Sequence, residues 1–200
     1  MNLRRAGSHG LLLEVATNDD ALAVSRSLRE SLGTLLEDVV PGHRTVLVTT
    51  RRPMAIADRV VEVAERAPGL ATASPRSETL LVAYDGPDLA DVAAQTGLSP
   101  EEVVRRHSAA SYTVGFLGFA PGFAYLLGLD PALQLPRLET PRTVVPAGSV
   151  AIAGPYAGVY PSATPGGWLL LGSTTARLFD PRRDAPSLLE PGMHVRFEAR

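Results

Sequence analysis

Two hundred residues, 45% of them hydrophobic, suffice for one large domain or two small ones with cores of their own. A formal net charge of −2 and the lack of any apolar run near the length of about eighteen residues needed to cross a bilayer argue against nucleic-acid and membrane partners. The chain has no cysteine and no lysine, which excludes disulfides, thiolate nucleophiles, Schiff-base or pyridoxal-phosphate lysines, a Walker A loop and a biotinylated carrier.

The first ten residues are polar and without periodicity, and read as a loose tail. Leu11-Leu12-Leu13 is too short for a signal-peptide core and is soon broken by Glu14, so a cytoplasmic location is expected. Leu11 to Ala16 reads as a strand, and Asn18-Asp19-Asp20 as the cap and first turn of a helix. That helix carries Ala21, Val24, Leu28, Leu32 and Leu35 on one face. Pro41-Gly42 marks a turn before a strand over Thr45 to Thr50. Pro53 opens a second helix with Ile56, Val60, Val61 and Ala64 on one side, closed by Pro68-Gly69. Glu78 to Tyr84 is the next strand. The order suggests a small α+β domain over residues 10–85, with its helices on one face.

Asp88 to Gln95 and Pro100 to His107 read as two short helices, the second capped by Ser99 with Glu101 and Glu102 in its first turn. The texture then changes. Nine of the eleven aromatics lie between Tyr112 and Phe179, among short Val- and Ile-rich runs separated by Pro-Gly punctuation. Strands are expected over Tyr112–Phe119, Val144–Val145, Ser149–Ala153, Gly158–Tyr160, Trp168–Leu171 and His194–Phe197. Residues 86–200 therefore read as an all-β barrel or sandwich.

Three segments of this half could carry chemistry. In Phe119-Ala120-Pro121-Gly122-Phe123-Ala124-Tyr125, Pro121-Gly122 fits a type II turn. Such a turn can aim N–H groups at an anion between aromatic walls, or can simply link two strands over the core. Pro165-Gly166-Gly167-Trp168 sets another turn, whose extra glycine permits a close approach to the backbone. Its tryptophan, the only one, would equally suit a core or an interface. In Leu135-Pro136-Arg137-Leu138-Glu139-Thr140-Pro141-Arg142 each arginine follows a proline, so two guanidinium groups stand on an extended segment. They could clamp a carboxylate or phosphate, or pair with surface acids. His107 could act as a general base or as a favourable charge at a helix end. His9, His43 and His194 lack metal-ligand spacing, so no metal is expected, and Ser149 is not in a nucleophile elbow.

Taken in order, several motifs resemble one known family. They are His107-Ser108, Tyr112-Thr113-Val114-Gly115-Phe116-Leu117-Gly118-Phe119-Ala120-Pro121-Gly122-Phe123-Ala124-Tyr125-Leu126, Pro136-Arg137, and Pro141-Arg142. Val145-Pro146-Ala147-Gly148-Ser149-Val150, Gly158-Val159-Tyr160-Pro161, Pro165-Gly166-Gly167-Trp168 and Gly172-Ser173-Thr174 follow. The sequence is similar to the B component of the bacterial three-part 5-oxoprolinase, a family also labelled allophanate hydrolase subunit 1 and including a Kip-type inhibitor of a histidine kinase. The resemblance implies a cyclophilin-like β-barrel after a small α+β domain. It implies association with the sister C component, of similar barrel type, and with the A component of the same enzyme. It implies ATP-dependent opening of 5-oxoproline to L-glutamate, with ATP bound at the level of the complex. It further implies His107 and Arg142 as catalytic groups, His107 moving a proton. Phe119, Pro121, Gly122, Phe123, Tyr125, Arg137, Pro165, Gly166, Gly167 and Trp168 are then expected around the substrate in a pocket shared with the sister barrel. Ser173, where many relatives carry a basic residue, and Pro155 depart from the pattern. The same motifs also fit a kinase inhibitor and part of an allophanate or urea carboxyltransferase-like enzyme.

Overall fold

In a computed structural model that describes residues 1–51, 56–69 and 76–200, the chain divides into two units, Met1–Ala73 and Ser74–Arg200. The first unit begins with a hairpin of β1 (Asn2–Ala6) and β2 (Gly10–Glu14), paired from Asn2↔Glu14 to Ala6↔Gly10. The expectation of a loose tail is corrected. All five residues of β1 are exposed, so no buried face imprints an alternation on its sequence, and the ladder to β2 alone makes it a strand.

Helix α1 (Asn18–Leu32) is capped by Thr17, one residue ahead of the expected Asn18. The Thr17 hydroxyl accepts from the Asp20 N–H, and the Asp20 carboxylate accepts from the Thr17 N–H in return. Asn18 instead donates its amide to the carbonyls of Gly42 and His43. Ala21, Val24, Leu28 and Leu32 are buried as expected, while Leu35 is exposed because the chain leaves the α-helix at Gly33. Strand β3 (Leu36–Pro41) has no counterpart in the sequence reading. An irregularity between Leu36 and Asp38 breaks the alternation that would have marked it. With β4 (Thr45–Thr50) it completes a four-stranded sheet in the order β1-β2-β4-β3. Helix α2 (Ala57–Arg66) buries Val60 and Ala64. Pro53, expected to open it, lies outside the described residues. Leu11, Leu13, Val46 and Val48 of the sheet share one core with Val24, Leu28, Val60 and Ala64 of the helices.

The second unit opens with β5 (Ser77–Val82), α3 (Leu89–Thr96) and α4 (Pro100–Ala109). Then come β6 (Tyr112–Leu117), β7 (Ala124–Leu127), β8 (Arg142–Val145), β9 (Ser149–Ala153) and β10 (Tyr156–Val159). β11 (Thr164–Gly166), β12 (Leu169–Ser173) and β13 (His194–Ala199) complete it. Seven of these strands form one sheet in the order β12-β9-β10-β7-β6-β13-β5. Its edges meet where Ala83, just past β5, exchanges two backbone hydrogen bonds of 2.9 and 2.8 Å with Ser173. The sheet is thus nearly closed, like a barrel. β5 was expected to end the N-terminal domain near residue 85. It pairs in parallel with β13, and the division falls between Ala73 and Ser74 instead. A parallel pairing between the two ends of a unit leaves no local trace in the sequence.

Alternation along the strands separates two apolar layers. Val150, Ile152, Leu169 and Leu171 turn into the main core with Val114, Leu126, Val195 and Phe197, to which α3 and α4 add Val92 and Val103. Ala151 and Leu170, of opposite parity, join a second cluster with Phe123, Val145 and Tyr160. Val145 belongs to the two-stranded β8–β11 sheet, so this smaller layer lies on the outer side of β9 and β12.

Candidate ligand-binding cavity

The outer layer borders a cavity of about 280 Å3 lined by Phe119, Phe123, Tyr125, Arg137, Pro141, Tyr160, Pro165, Gly166, Gly167 and Trp168. The β6–β7 connection builds one wall. Phe123 donates its N–H to Ala120 O at 2.9 Å and Gly122 has φ +81°, the type II turn expected from Pro121-Gly122. A Cβ on Gly122 would lie 2.7 Å from Phe179 Cβ, so the turn also demands a glycine on packing grounds. Immediately before it, Ala120 donates to Gly118 O at 2.7 Å, closing a γ-turn around Phe119. Phe119 takes φ +67°, a left-handed conformation that costs a bulky residue about 1–2 kcal/mol. Its ring nevertheless stays 60% exposed at the cavity. Pro121 is exposed and Gly122 buried, and neither lines the cavity; they fix the turn. The turn's Ala120 and Phe123 N–H groups are committed within the loop, which removes them as donors to an anion.

The opposite wall differs from expectation. Pro165-Gly166 is not a turn but part of β11, which pairs with β8. Gly166 has no room for a side chain, since a Cβ would lie 2.3 Å from the Tyr160 hydroxyl oxygen. The Leu138 N–H donates to Gly167 O at 2.7 Å, which ties the arginine-bearing segment to this wall. Trp168 packs edge-on against Phe123 at 5.3 Å and against Tyr125 at 5.6 Å. Burial pushes the Tyr125 and Tyr160 hydroxyls above the usual tyrosine range, so both stay protonated at neutral pH.

The two arginines have different roles. Arg142 gives Nη2 to Asp88 Oδ1 at 2.5 Å and Nη1 to Trp168 O at 3.4 Å. Asp88, only 4% exposed, accepts the Leu170 N–H on its other oxygen at 2.7 Å. Arg142 is therefore outside the lining, anchored behind it, where it fixes β8 and the Trp168 backbone. Arg137 lines the cavity and has no hydrogen-bond or ion-pair partner among the described residues.

His107 does not join the site, and its expected role as a proton carrier there is corrected. It is fully buried at the end of α4, its ring tilted against those of Phe197 and Tyr112 at centroid distances of 4.6 and 5.6 Å. Its Nδ1 meets the Tyr84 hydroxyl at 2.8 Å, and its Nε2 has no hydrogen-bond partner among the described residues. Desolvation lowers its pKa to about 3, so it is neutral at pH 7. Ser149 is also buried, its hydroxyl donating to Pro146 O. Eight of the predicted ligand-facing residues meet at the cavity; Tyr160, Pro141 and Asp88 were missed as site residues. The Gly158-Val159-Tyr160-Pro161 motif pointed to the first, whereas nothing local marks Asp88, which reads as an ordinary helix start.

Residues 1–189 match the family described as carboxyltransferase domain, subdomain C and D. The B component of 5-oxoprolinase from Escherichia coli O157:H7 is 48% identical over 166 residues, 80% of this chain and 76% of that protein. The chain belongs to the family of 5-oxoprolinase B components. Among solved structures, TTHA0988 superposes with a TM-score of 0.83 at 37% identity, covering 100% of this chain and 40% of its own longer one. Kluyveromyces lactis urea carboxylase shares the fold, with a TM-score of 0.73 at 18% identity over 99% of this chain and 21% of that protein. The cavity of this member of the 5-oxoprolinase family lies wholly within the matched residues.

Proposed function

We propose that the chain is one component of an ATP-dependent 5-oxoprolinase and that its cavity seats 5-oxoproline. The observation that carries this is Arg137, a guanidinium with no partner among the described residues beside an aromatic-walled cavity of a size to take a small ring. Arg137 would hold the substrate carboxylate while Phe123, Tyr125 and Trp168 cover the ring. No lining residue is a general base or a nucleophile at neutral pH, so the groups that open the lactam come from a partner and the chain is inactive alone. The exposed Phe119 ring leaves one side of the cavity for the sister barrel, the C component, to complete. With Arg137 as its only charged lining residue the cavity offers little to a triphosphate, and ATP would bind elsewhere in the complex, which includes the A component. No helix among the described residues is long and apolar enough to cross a membrane, which accords with the proposed cytoplasmic site of action.

Co-expression with the two sister components, followed by a glutamate-release assay, tests the proposal. ATP-dependent glutamate that disappears when this chain is omitted is the expected result. A stable complex that acts on urea and leaves 5-oxoproline untouched would favour a carboxyltransferase-like role. The match of residues 1–189 to a carboxyltransferase-domain family supports that second reading.

A further inference from the structure

We propose that the cavity separates the closed ring from the opened chain by charge, accepting a small anion whose nitrogen is uncharged and refusing one that carries an ammonium group. This rests on the reading of the cavity as the seat of 5-oxoproline. Among its ten lining residues Arg137 is the only one charged at neutral pH, and none is acidic. Glu139, two residues further along the same segment, is exposed and outside the lining. Asp88 is held behind the wall by Arg142 and the Leu170 N–H. An ammonium group brought here would lose water and find no carboxylate. Aromatic faces attract cations, but Arg137 already supplies one, and a second would sit against a like charge. The Tyr125 hydroxyl and the Trp168 indole N–H have no hydrogen-bond partner among the described residues, and both are uncharged groups that suit a neutral lactam.

Hydrolysis adds water across the lactam C–N bond. The carbonyl carbon becomes a second carboxylate, and the nitrogen takes up a proton and becomes ammonium. The product thus acquires an ammonium, for which the lining offers no carboxylate, and a second carboxylate, for which it offers no second cation. Binding favours the substrate, and ring opening itself drives release.

The test is calorimetric titration of the chain, alone and with its sister components, with 5-oxoproline, cyclopentanecarboxylate, L-proline and L-glutamate. In the isolated chain, emission from Trp168, its only tryptophan, reports whether the ligand reaches the cavity. 5-Oxoproline and cyclopentanecarboxylate are expected to bind. L-Proline, nearly the same shape but with a charged nitrogen, and L-glutamate should bind at least about tenfold more weakly. Arg137→Gln should weaken both anionic rings by at least about tenfold. If L-proline equals 5-oxoproline while Arg137→Gln still weakens both, selection by charge is wrong and the cavity remains the substrate's seat. If Arg137→Gln leaves 5-oxoproline binding unchanged, or if no compound binds in either form, both readings are overturned.

Discussion

Two regions of the barrel-like unit pair aromatic rings with a polar group, and they end in opposite states. Around His107, Tyr84, Tyr112 and Phe197 enclose a fully buried imidazole. Around Arg137, five aromatic side chains leave a cavity and a guanidinium with no partner among the described residues. Burial strips the first group of its charge and makes it part of the core. The second stays exposed and available. Aromatic surroundings alone therefore do not define a site; whether the polar group is buried in the core, as at the end of α4, or left exposed on the segment before β8 does.

The contrast is sharpest at Asp88, which belongs to the cavity's support and not to its lining. Asp88→Ala leaves the Arg142 guanidinium and the Leu170 N–H without their partner. Chemical denaturation should show a loss of about 3–5 kcal/mol. A loss near zero would mean that the buried pair does not hold the Trp168 wall. Arg137→Gln should do the reverse, lowering the assembled enzyme's kcat/KM by about thirtyfold or more, about 2 kcal/mol, with the unfolding midpoint unmoved. If the midpoint falls too, Arg137 has a structural role the geometry does not reveal.

The His107 region offers a pH signature. The folded-state pKa of about 3 lies below the ordinary value of 6.5, so as pH falls the unfolded chain takes up the proton first. Stability should be independent of this group above about pH 6.5 and should decline below it towards pH 3, with a limiting slope of about 1.4 kcal/mol per pH unit. Between about pH 6.5 and 4.5, His107→Phe should flatten that decline. Below this range Glu102 and Asp180, whose carboxyls are held low mainly by their arginine partners, titrate as well. An unchanged slope in the variant would show that water reaches the imidazole. The smallest effect is expected at the rim. Phe119→Gly removes a left-handed phenylalanine whose ring is mostly exposed, and should raise stability by about 1 kcal/mol while weakening substrate binding. A fall in stability would mean that the ring's contacts with Phe123 and Tyr160 outweigh the backbone strain.

The sequence by itself determined the elements whose signals are local. Buried residues three and four apart made α1 legible, Ser99 marked the start of α4, and Pro121-Gly122 encoded its turn. The aromatic-rich motifs were equally readable, and they delivered most of the cavity wall together with Arg137. What depended on partners distant in the chain was decided only by the tertiary structure. The place of β5 in the barrel-like unit needed β13, and Pro165-Gly166 became strand because β8 lies alongside. The separation of two prolyl-linked arginines into an anchor and a cavity-lining cation, and of His107 from the site altogether, followed the same rule. A side chain's chemistry is written in the sequence, but its solvation and its partner are set by which elements pack together, and those decide whether it supports the fold or serves the site.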